Sequence, residues 1–266
     1  MNFAHYVESI QNLYLDAKNA SEPTVSNLSS RITFIPKKIL ILAPHPDDEC
    51  IMGGFAIRAK EEFQAEVGVV PFSFGSKKER RGPRMKELEN ALALLDFRLI
   101  NPRIDLPSDE ELTLAEFQRA LVSFKPNVMI APHLKDGHPV HIRASQMARV
   151  AFVEYANATT LTSDSIQMPT QGKEGIHLLQ SEYWQSMEQA NCFIPLSHHH
   201  LTKMGLALMA HVGEISRSPY HLTLPAWAMD QVRRGSEMSA LKPNQPALGA
   251  KSEDAVFGQL YRLETL

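Results

Sequence analysis

The feature that most constrains the fold is an apolar run that ends in a group of imidazole and carboxylate side chains. Residues 39–43 read Ile-Leu-Ile-Leu-Ala, and after Pro44 the sequence at 45–49 is His-Pro-Asp-Asp-Glu. A continuous Ile/Leu run is typical of a buried parallel strand. In open α/β sheets, ligands bind in the crevice outside the carboxyl ends of the strands. The pattern therefore predicts a strand that delivers metal-binding side chains to that crevice.

A second segment repeats this arrangement. Residues 127–131 form another short apolar run, and three histidines and an aspartate follow it: His133, Asp136, His138 and His141. Zinc takes three or four N, O or S ligands, and catalytic zinc sites keep one position for water. Two parallel strands that end side by side would bring His45, Asp48 and His141 together as such a ligand set.

Each segment alone also has a simpler interpretation. His-Pro-Asp-Asp suits a solvated turn, because Pro and Asp are common turn residues and Asp readily caps a helix. His138 and His141 suit exposed positions in the first turn of a helix. Two such clusters, each directly after an apolar strand pattern, together favour the metal site over both alternatives.

These segments resemble the motifs of a known family, the PIG-L/LmbE-like zinc-dependent N-acetylglucosaminyl deacetylases. Residues 43–49 are similar to its Ala-His-Pro-Asp-Asp-Glu motif, with a proline inserted after the alanine. Residues 138–141, His-Pro-Val-His, are similar to its second motif, which is usually His-Pro-Asp-His. Residues 84–87 resemble the Arg-x-x-Glu helix of the family, and weaker similarities extend the resemblance over about residues 38–215.

The resemblance implies a role for each motif residue. His45, Asp48 and His141 match the zinc ligands, Asp47 matches the general base, and His138 matches the imidazole that assists at the transition state. Zinc lowers the pKa of bound water toward about 7, so a neighbouring carboxylate can take its proton near neutral pH. A protonated His138 would stabilise negative charge on the acetamide oxygen and then protonate the departing amine.

One residue departs from the family pattern. Val140 stands where the family usually has Asp, so a carboxylate that would orient His138 and raise its pKa is missing. Asp136 is a candidate replacement, and an exposed loop position is an equal alternative. Glu49 either stabilises the next helix through its dipole or hydrogen-bonds behind the metal ligands, and the second role is favoured.

Several other features are candidates for binding. The guanidinium of Arg84 suits a sugar hydroxyl or phosphate, with a solvated helix charge as the alternative. Asp109 suits sugar hydroxyls, although an N-cap for the helix near Thr113 is the favoured alternative. Residues 75–82 predict a basic loop that either attracts an anionic part of a substrate or is only solvated. Residues 198–200 are three histidines, but adjacent side chains on a helix point in different directions.

The remaining pattern predicts a single α/β domain. Strands are expected near residues 38–43, 66–73, 98–101 and 127–131, and helices near 49–63, 82–96, 113–124 and 141–155. Alternating strands and helices predict a doubly wound, mainly parallel, Rossmann-like sheet with helices on both faces. Residues 1–30 predict an N-terminal helix and a linker, and residues 31–266 the deacetylase-like domain.

Composition narrows the function classes. The chain has 266 residues, of which 44% are hydrophobic, so it is long enough for a large core. Its net charge of −3 offers no case for nucleic-acid binding. No apolar run approaches the roughly 20 residues of a membrane span, and no secretory signal is recognisable. Because two cysteines are too few for a disulfide framework, we expect a cytoplasmic protein with reduced thiols.

Together, the motifs predict a zinc-dependent hydrolase that removes acetyl from an N-acetylglucosamine-type sugar conjugate. Two alternatives stay open. One is a metal-dependent hydrolase of another amide or of a phosphoester, since the same ligands serve either chemistry. The other is a sugar-binding relative without catalytic activity. Other divalent ions, such as iron(II) or cobalt, suit the same ligands, and the sequence leaves the oligomeric state open.

Overall fold

The protein alternates strands and helices along its length. The computed structural model describes residues 2–18, 21, 25–103, 106–163, 175–241 and 255–266. The strands are β1 (Lys38–Ala43), β2 (Glu66–Pro71), β3 (Arg98–Leu99), β4 (Val128–Pro132), β5 (His177–Ser181), β6 (Cys192–Leu196) and β7 (Phe257–Thr265). The helices are α1 (Phe3–Lys18), α2 (Asp48–Ile51), α3 (Gly54–Phe63), α4 (Lys78–Leu95), α5 (Leu114–Phe124), α6 (Pro139–Ser163), α7 (His198–Leu208), α8 (Val212–Ile215) and α9 (Tyr220–Leu241). A single 3-10 turn is described at Leu28–Ser30.

The seven described strands form one sheet in the order β3-β2-β1-β4-β5-β7-β6. Strands β1 to β5 are parallel to one another, whereas β7 is antiparallel to both β5 and β6. Ile41 of β1 lies opposite Ile130 of β4, so these two strands end at the same edge. The prediction of a mainly parallel, Rossmann-like sheet is confirmed, and its antiparallel edge is an addition to it.

The side chains of β1 alternate between two hydrophobic cores, one on each face of the sheet. Ile39 and Ile41 pack into the core that is covered by α1, α3, α4 and α7. Leu40 and Leu42 pack into the core that is covered by α5 and α6. Burial on both faces explains why the strand reads as a continuous apolar run. The chain is thus doubly wound, as the sequence predicts.

Several predicted boundaries are corrected by the structure. β2 ends at Pro71, as expected for a residue that cannot donate to the sheet. The single helix predicted over 49–63 is two helices, because the chain turns at Met52 and Gly53. The predicted basic loop is helical from Lys78 onward, since α4 begins there and continues through Pro83.

The N-terminal helix α1 packs on the outside of the domain. Its Phe3 ring lies against Gly205 of α7, where an added Cβ would fall 1.9 Å from the ring. Only glycine permits this close approach of the two helices. The hydroxyl of Tyr6 donates to the Leu222 carbonyl at 2.7 Å. No helix in the part of the chain that the structure describes is long and apolar enough to cross a membrane.

Candidate active site and metal centre

The turn after β1 is tightly constrained. The amide of His45 donates to Asp48 Oδ2 at 2.9 Å, and the amide of Asp47 donates to Glu49 Oε2 at 2.9 Å. Asp47 has φ 128°, a conformation that costs a residue other than glycine about 1–3 kcal/mol. Asp47, Asp48 and Glu49 are all buried, so this segment is not a solvated turn.

One carboxylate oxygen joins the two motifs. Asp48 Oδ2 lies 3.2 Å from His141 Nε2 and 3.5 Å from His45 Nδ1. Two ligands of a tetrahedral zinc ion, each at about 2.0–2.1 Å, stand about 3.3 Å apart. The spacing of these three donors therefore fits a metal ion bound among them. Candidate ligand atoms of His45, His138 and His141 also lie within 4.8 Å of one another.

Asp136 lies directly behind His141. It is buried, with 2% of its surface exposed, which excludes the alternative of an exposed loop residue. Its Oδ2 lies 3.5 Å from His141 Nδ1, a buried nitrogen for which the described part of the chain offers no closer hydrogen-bond partner. Metal-binding histidines usually direct their second nitrogen to a carboxylate or a carbonyl. The pair thus has the arrangement that orients an imidazole toward a cation.

Crowding of carboxylates perturbs the acid–base properties of the site. Burial raises the pKa of Asp47 well above its usual value, and the neighbouring charges of Asp48 and Glu49 raise it further. Burial alone would lower the pKa of His141, but Asp48 and Asp136 raise it to about 10. The site therefore has excess negative charge, which a bound dication would balance while displacing the proton of His141.

His138 is held differently from the protonated imidazole expected from the sequence. Its Nδ1 accepts a hydrogen bond from the amide of Val140 at 3.3 Å. Burial lowers its pKa, and the nearby rings of His45 and His141 lower it further. A ring that accepts at Nδ1 carries its proton on Nε2 when it is neutral. The geometry therefore favours a neutral imidazole with an Nε2–H donor.

A cavity of about 600 Å³ opens over these side chains. Arg84 and Asp109 line it, as do Tyr183, Trp184 and Tyr220. Trp184 is 50% exposed, and its ring stacks near that of His138 at a centroid distance of 6.1 Å. Tyr183 and Trp184 follow β5, whereas Tyr220 begins α9, and no local pattern in the sequence predicts that these side chains line one cavity.

The two substrate-binding candidates are already engaged within the protein. Arg84 is buried, and its Nε donates to Glu214 Oε1 at 3.0 Å while its Nη1 donates to the Phe74 carbonyl at 3.0 Å. The alternative of a solvated helix charge is therefore wrong. Asp109 is exposed and contacts Lys78 Nζ at 3.3 Å. It does not cap α5 either, because Thr113 forms the capping box with Glu116.

A separate buried group stands behind the turn. His211 Nε2 lies 2.7 Å from Glu49 Oε1, and the Cys50 thiol donates to the same oxygen at 3.3 Å. Glu49 thus hydrogen-bonds behind the candidate ligands, as the favoured alternative predicted. The histidines at the start of α7 are not among the residues that line this cavity. Instead, His199 Nε2 and His200 Nε2 lie 3.4 and 3.2 Å from the carboxylate of Glu61.

Fold and site together define a Rossmann-like α/β protein with a candidate metal-binding crevice at the carboxyl ends of its central strands. Residues 40–152 match the family model described as PIG-L, GlcNAc-PI de-N-acetylase. This match confirms the resemblance to that family over these residues. A search of curated proteins finds no match to the sequence.

Solved structures share the fold at low sequence identity. N,N'-diacetylchitobiose deacetylase from Pyrococcus horikoshii is 17% identical with a TM-score of 0.58, covering 97% of this chain and 92% of its own. The 4-carboxy-2-hydroxymuconate hydratase GalB from Pseudomonas putida is 16% identical with a TM-score of 0.58, covering 85% and 95%. The conserved protein TT1542 from Thermus thermophilus is 20% identical with a TM-score of 0.55, covering 84% and 93%.

Proposed function

We propose that this protein is a metal-dependent deacetylase that hydrolyses the N-acetyl group of an N-acetylglucosamine-type sugar conjugate. The observation that carries the proposal is the convergence of His45 and His141 on one oxygen of Asp48, beside the buried Asp47. The family description, a de-N-acetylase, supports the same reaction. Because a hydratase shares the fold, the fold alone does not select the chemistry, and the side chains of the site must do so.

His45, Asp48 and His141 would hold the metal, with Zn²⁺ as the first candidate and other divalent ions suited to the same donors. A bound divalent ion supplies Lewis acidity and lowers the pKa of its water toward about 7. Asp136 keeps the proton of His141 on Nδ1, so that Nε2 is free to bind a cation.

Asp47 is the proposed general base. Its carboxylate takes a proton from water as the water oxygen adds to the acetamide carbon, and the carbonyl oxygen becomes negatively charged. The Nε2–H of His138 donates a hydrogen bond to that oxygen. When the C–N bond breaks, the proton held by Asp47 passes to the departing nitrogen. The products are a free amine and acetic acid, which releases its proton to solvent and leaves as acetate, and Asp47 is again a carboxylate.

Trp184 is the proposed contact for the sugar ring. Half of its surface is exposed, and it lines the cavity next to His138, where the acetamide would react. An exposed aromatic face offers an apolar platform with a fixed orientation. We also propose a cytoplasmic location, which the free thiols of Cys50 and Cys192 support.

Acetate release from N-acetylglucosamine and from a chitobiose conjugate tests the function. We expect release by the wild-type protein, loss with a chelator, recovery with Zn²⁺, and loss in Asp47→Asn. The control is Asp16→Asn, an exposed carboxylate on α1 that does not line the cavity, and this variant should stay active. Phosphate release from a sugar phosphoester, or zinc binding without turnover of any acetylated sugar, would contradict the proposal and favour the alternative hydrolase or the binding protein.

A further inference from the structure

We propose that Glu49 and His211 form a buried positioning pair that holds Asp47 in its strained conformation. The inference rests on the proposed function, in which Asp47 is the general base. It assigns a role to His211, which lies 162 positions after Glu49 and belongs to neither motif. His211 acts through Glu49 and not on the substrate, so it is a positioning residue.

Two successive contacts through Glu49 connect the His211 ring to the backbone of Asp47. Both side chains of the pair are fully buried, with 0% of their surface exposed. Oε1 of Glu49 lies 2.7 Å from His211 Nε2, and Oε2 accepts the amide of Asp47 at 2.9 Å. The two oxygens of one carboxylate thus connect the imidazole to the backbone of the residue with φ 128°.

The direction of the His211 hydrogen bond follows from its other nitrogen. Nδ1 of His211 is buried and has no hydrogen-bond partner among the residues that the structure describes. A neutral ring with its proton on Nε2 leaves only an acceptor without a partner, whereas a proton on Nδ1 would leave a buried donor unsatisfied. His211 therefore donates from Nε2 to Glu49. Removing this donor would leave Oε1 of the buried Glu49 carboxylate without its shortest hydrogen bond.

A second metal ion is the competing explanation, because Glu49, Cys50 and His211 are all potential ligands. The contact distance argues against it. The 2.7 Å between His211 Nε2 and Glu49 Oε1 is a hydrogen-bond distance, shorter than the separation of about 3.3 Å between two ligands of one tetrahedral zinc ion.

Strain explains why Asp47 needs such support. A positive φ persists in a residue other than glycine only where the surroundings enforce it. The amide of Asp47 donates a hydrogen bond to a carboxylate, and such a bond is stronger than one between neutral groups. His211 fixes that carboxylate from the start of α8, and the same short helix carries Glu214, which binds Arg84 on the cavity wall. The short helix α8, together with His211 just before it, therefore supports both Asp47 and the cavity wall at Arg84.

The test compares two variants of similar side-chain size. His211→Gln keeps an N–H donor near the position of Nε2, and His211→Met removes it. For acetate release we expect His211→Met to lower kcat about 100-fold, since small misplacements of a catalytic group cost this much. KM and metal content should not change, and His211→Gln should restore most of kcat. If His211→Met does not fold, His211→Asn replaces it, because its shorter amide does not reach Glu49.

Crystal structures of the variants give a readout that does not depend on activity. We expect Asp47 to leave its positive φ in His211→Met and to keep it in His211→Gln. Unchanged kcat and an unmoved Asp47 in His211→Met would overturn the inference. The inference would also be overturned if the wild-type protein bound a second metal ion per chain and the His211→Met variant did not bind it. If the wild-type protein deacetylates nothing but Asp47 still moves in His211→Met, the proposed function fails and the positioning role stands.

Discussion

The amide of Val140 donates a hydrogen bond to Nδ1 of His138 at 3.3 Å. The backbone therefore orients the imidazole at the position where the family motif usually has an aspartate. A carboxylate there would stabilise a protonated ring, whereas an amide donor favours a neutral one. The valine in this motif is thus compatible with catalysis, provided that His138 acts as a neutral hydrogen-bond donor.

The first prediction separates a neutral donor from a proton-donating imidazolium. His138→Leu should lower kcat by about 100- to 1000-fold, the usual cost of losing one donor to a developing oxyanion. His138→Gln keeps an N–H donor near Nε2 but cannot deliver a proton, so it should retain most of the activity. Steady-state acetate release measures both variants. Equal losses in the two would show that His138 must donate a proton.

The second prediction concerns the carboxylate behind His141. Asp136→Asn keeps an oxygen for the amide of His138, which now donates to Asp136 Oδ1 at 2.8 Å. Its NH₂ group would face His141 Nδ1 and move the histidine proton to Nε2, the nitrogen nearest Asp48. We expect the affinity for Zn²⁺ to fall about 10- to 100-fold. Competition with a chelating dye measures it, with Asp109→Asn as the control, and equal affinities would contradict the prediction.

The third prediction uses the strain at Asp47. Asp47→Gly and Asp47→Ala should both abolish turnover, because both remove the base. Glycine accepts φ 128° without steric cost, whereas alanine does not. The glycine variant should therefore have a free energy of unfolding about 1–2 kcal/mol higher than the alanine variant. Urea unfolding of the two proteins measures this difference, and a less stable glycine variant would argue against stored strain.

The fourth prediction concerns stability against pH and His177 of β5. This ring stacks on Phe34 at a centroid distance of 3.7 Å, and burial lowers its pKa from 6.5 to about 4. Below pH 6.5 the unfolded chain binds a proton at this histidine that the folded protein does not bind. The free energy of unfolding therefore decreases as the pH is lowered. The loss is at most about 3 kcal/mol and levels off below pH 4.

Chemical unfolding of wild type and His177→Gln between pH 7 and 5 measures this contribution. The glutamine cannot titrate, so the stability of the variant should depend less steeply on pH. The slopes should differ by up to about 1.4 kcal/mol per pH unit, the linkage of one proton. Parallel curves would show that His177 is protonated in the folded state.

The centre of the fold and the candidate ligands were predictable because each depends on a local pattern. Residues 39–43 and 128–131 are apolar throughout, since both faces of their strands are covered. The carboxyl ends of neighbouring parallel strands meet at one edge, so the side chains that follow them converge. His45, Asp48 and His141 were therefore predicted as neighbours from their distance to the strand ends alone.

The rest of the site depends on contacts between distant parts of the chain. Glu214 pairs with Arg84, which lies 130 positions earlier in the chain, and no local pattern in the sequence predicts this pairing. The neutral form of His138 follows from a backbone amide, which every residue except proline supplies. The ends of α3, α4 and α5 lie within one residue of the predicted ends at 63, 96 and 124. Gln64, Asp96 and Lys125 follow these helices in the left-handed conformation, although no glycine stands there as a signal.

Strand β7 has a consequence for how the catalytic turn is assembled during synthesis. Gln259 accepts the amide of Gly54, and Tyr261 donates to the Met52 carbonyl, each more than 200 positions back along the chain. These hydrogen bonds satisfy backbone groups between α2 and α3, directly behind the carboxylates of the turn that follows β1. A nascent polypeptide that has not yet released β7 from the ribosome possesses all the proposed metal donors but lacks the polar support beneath them. Competence to bind the ion should therefore arise late, once translation has passed residue 261.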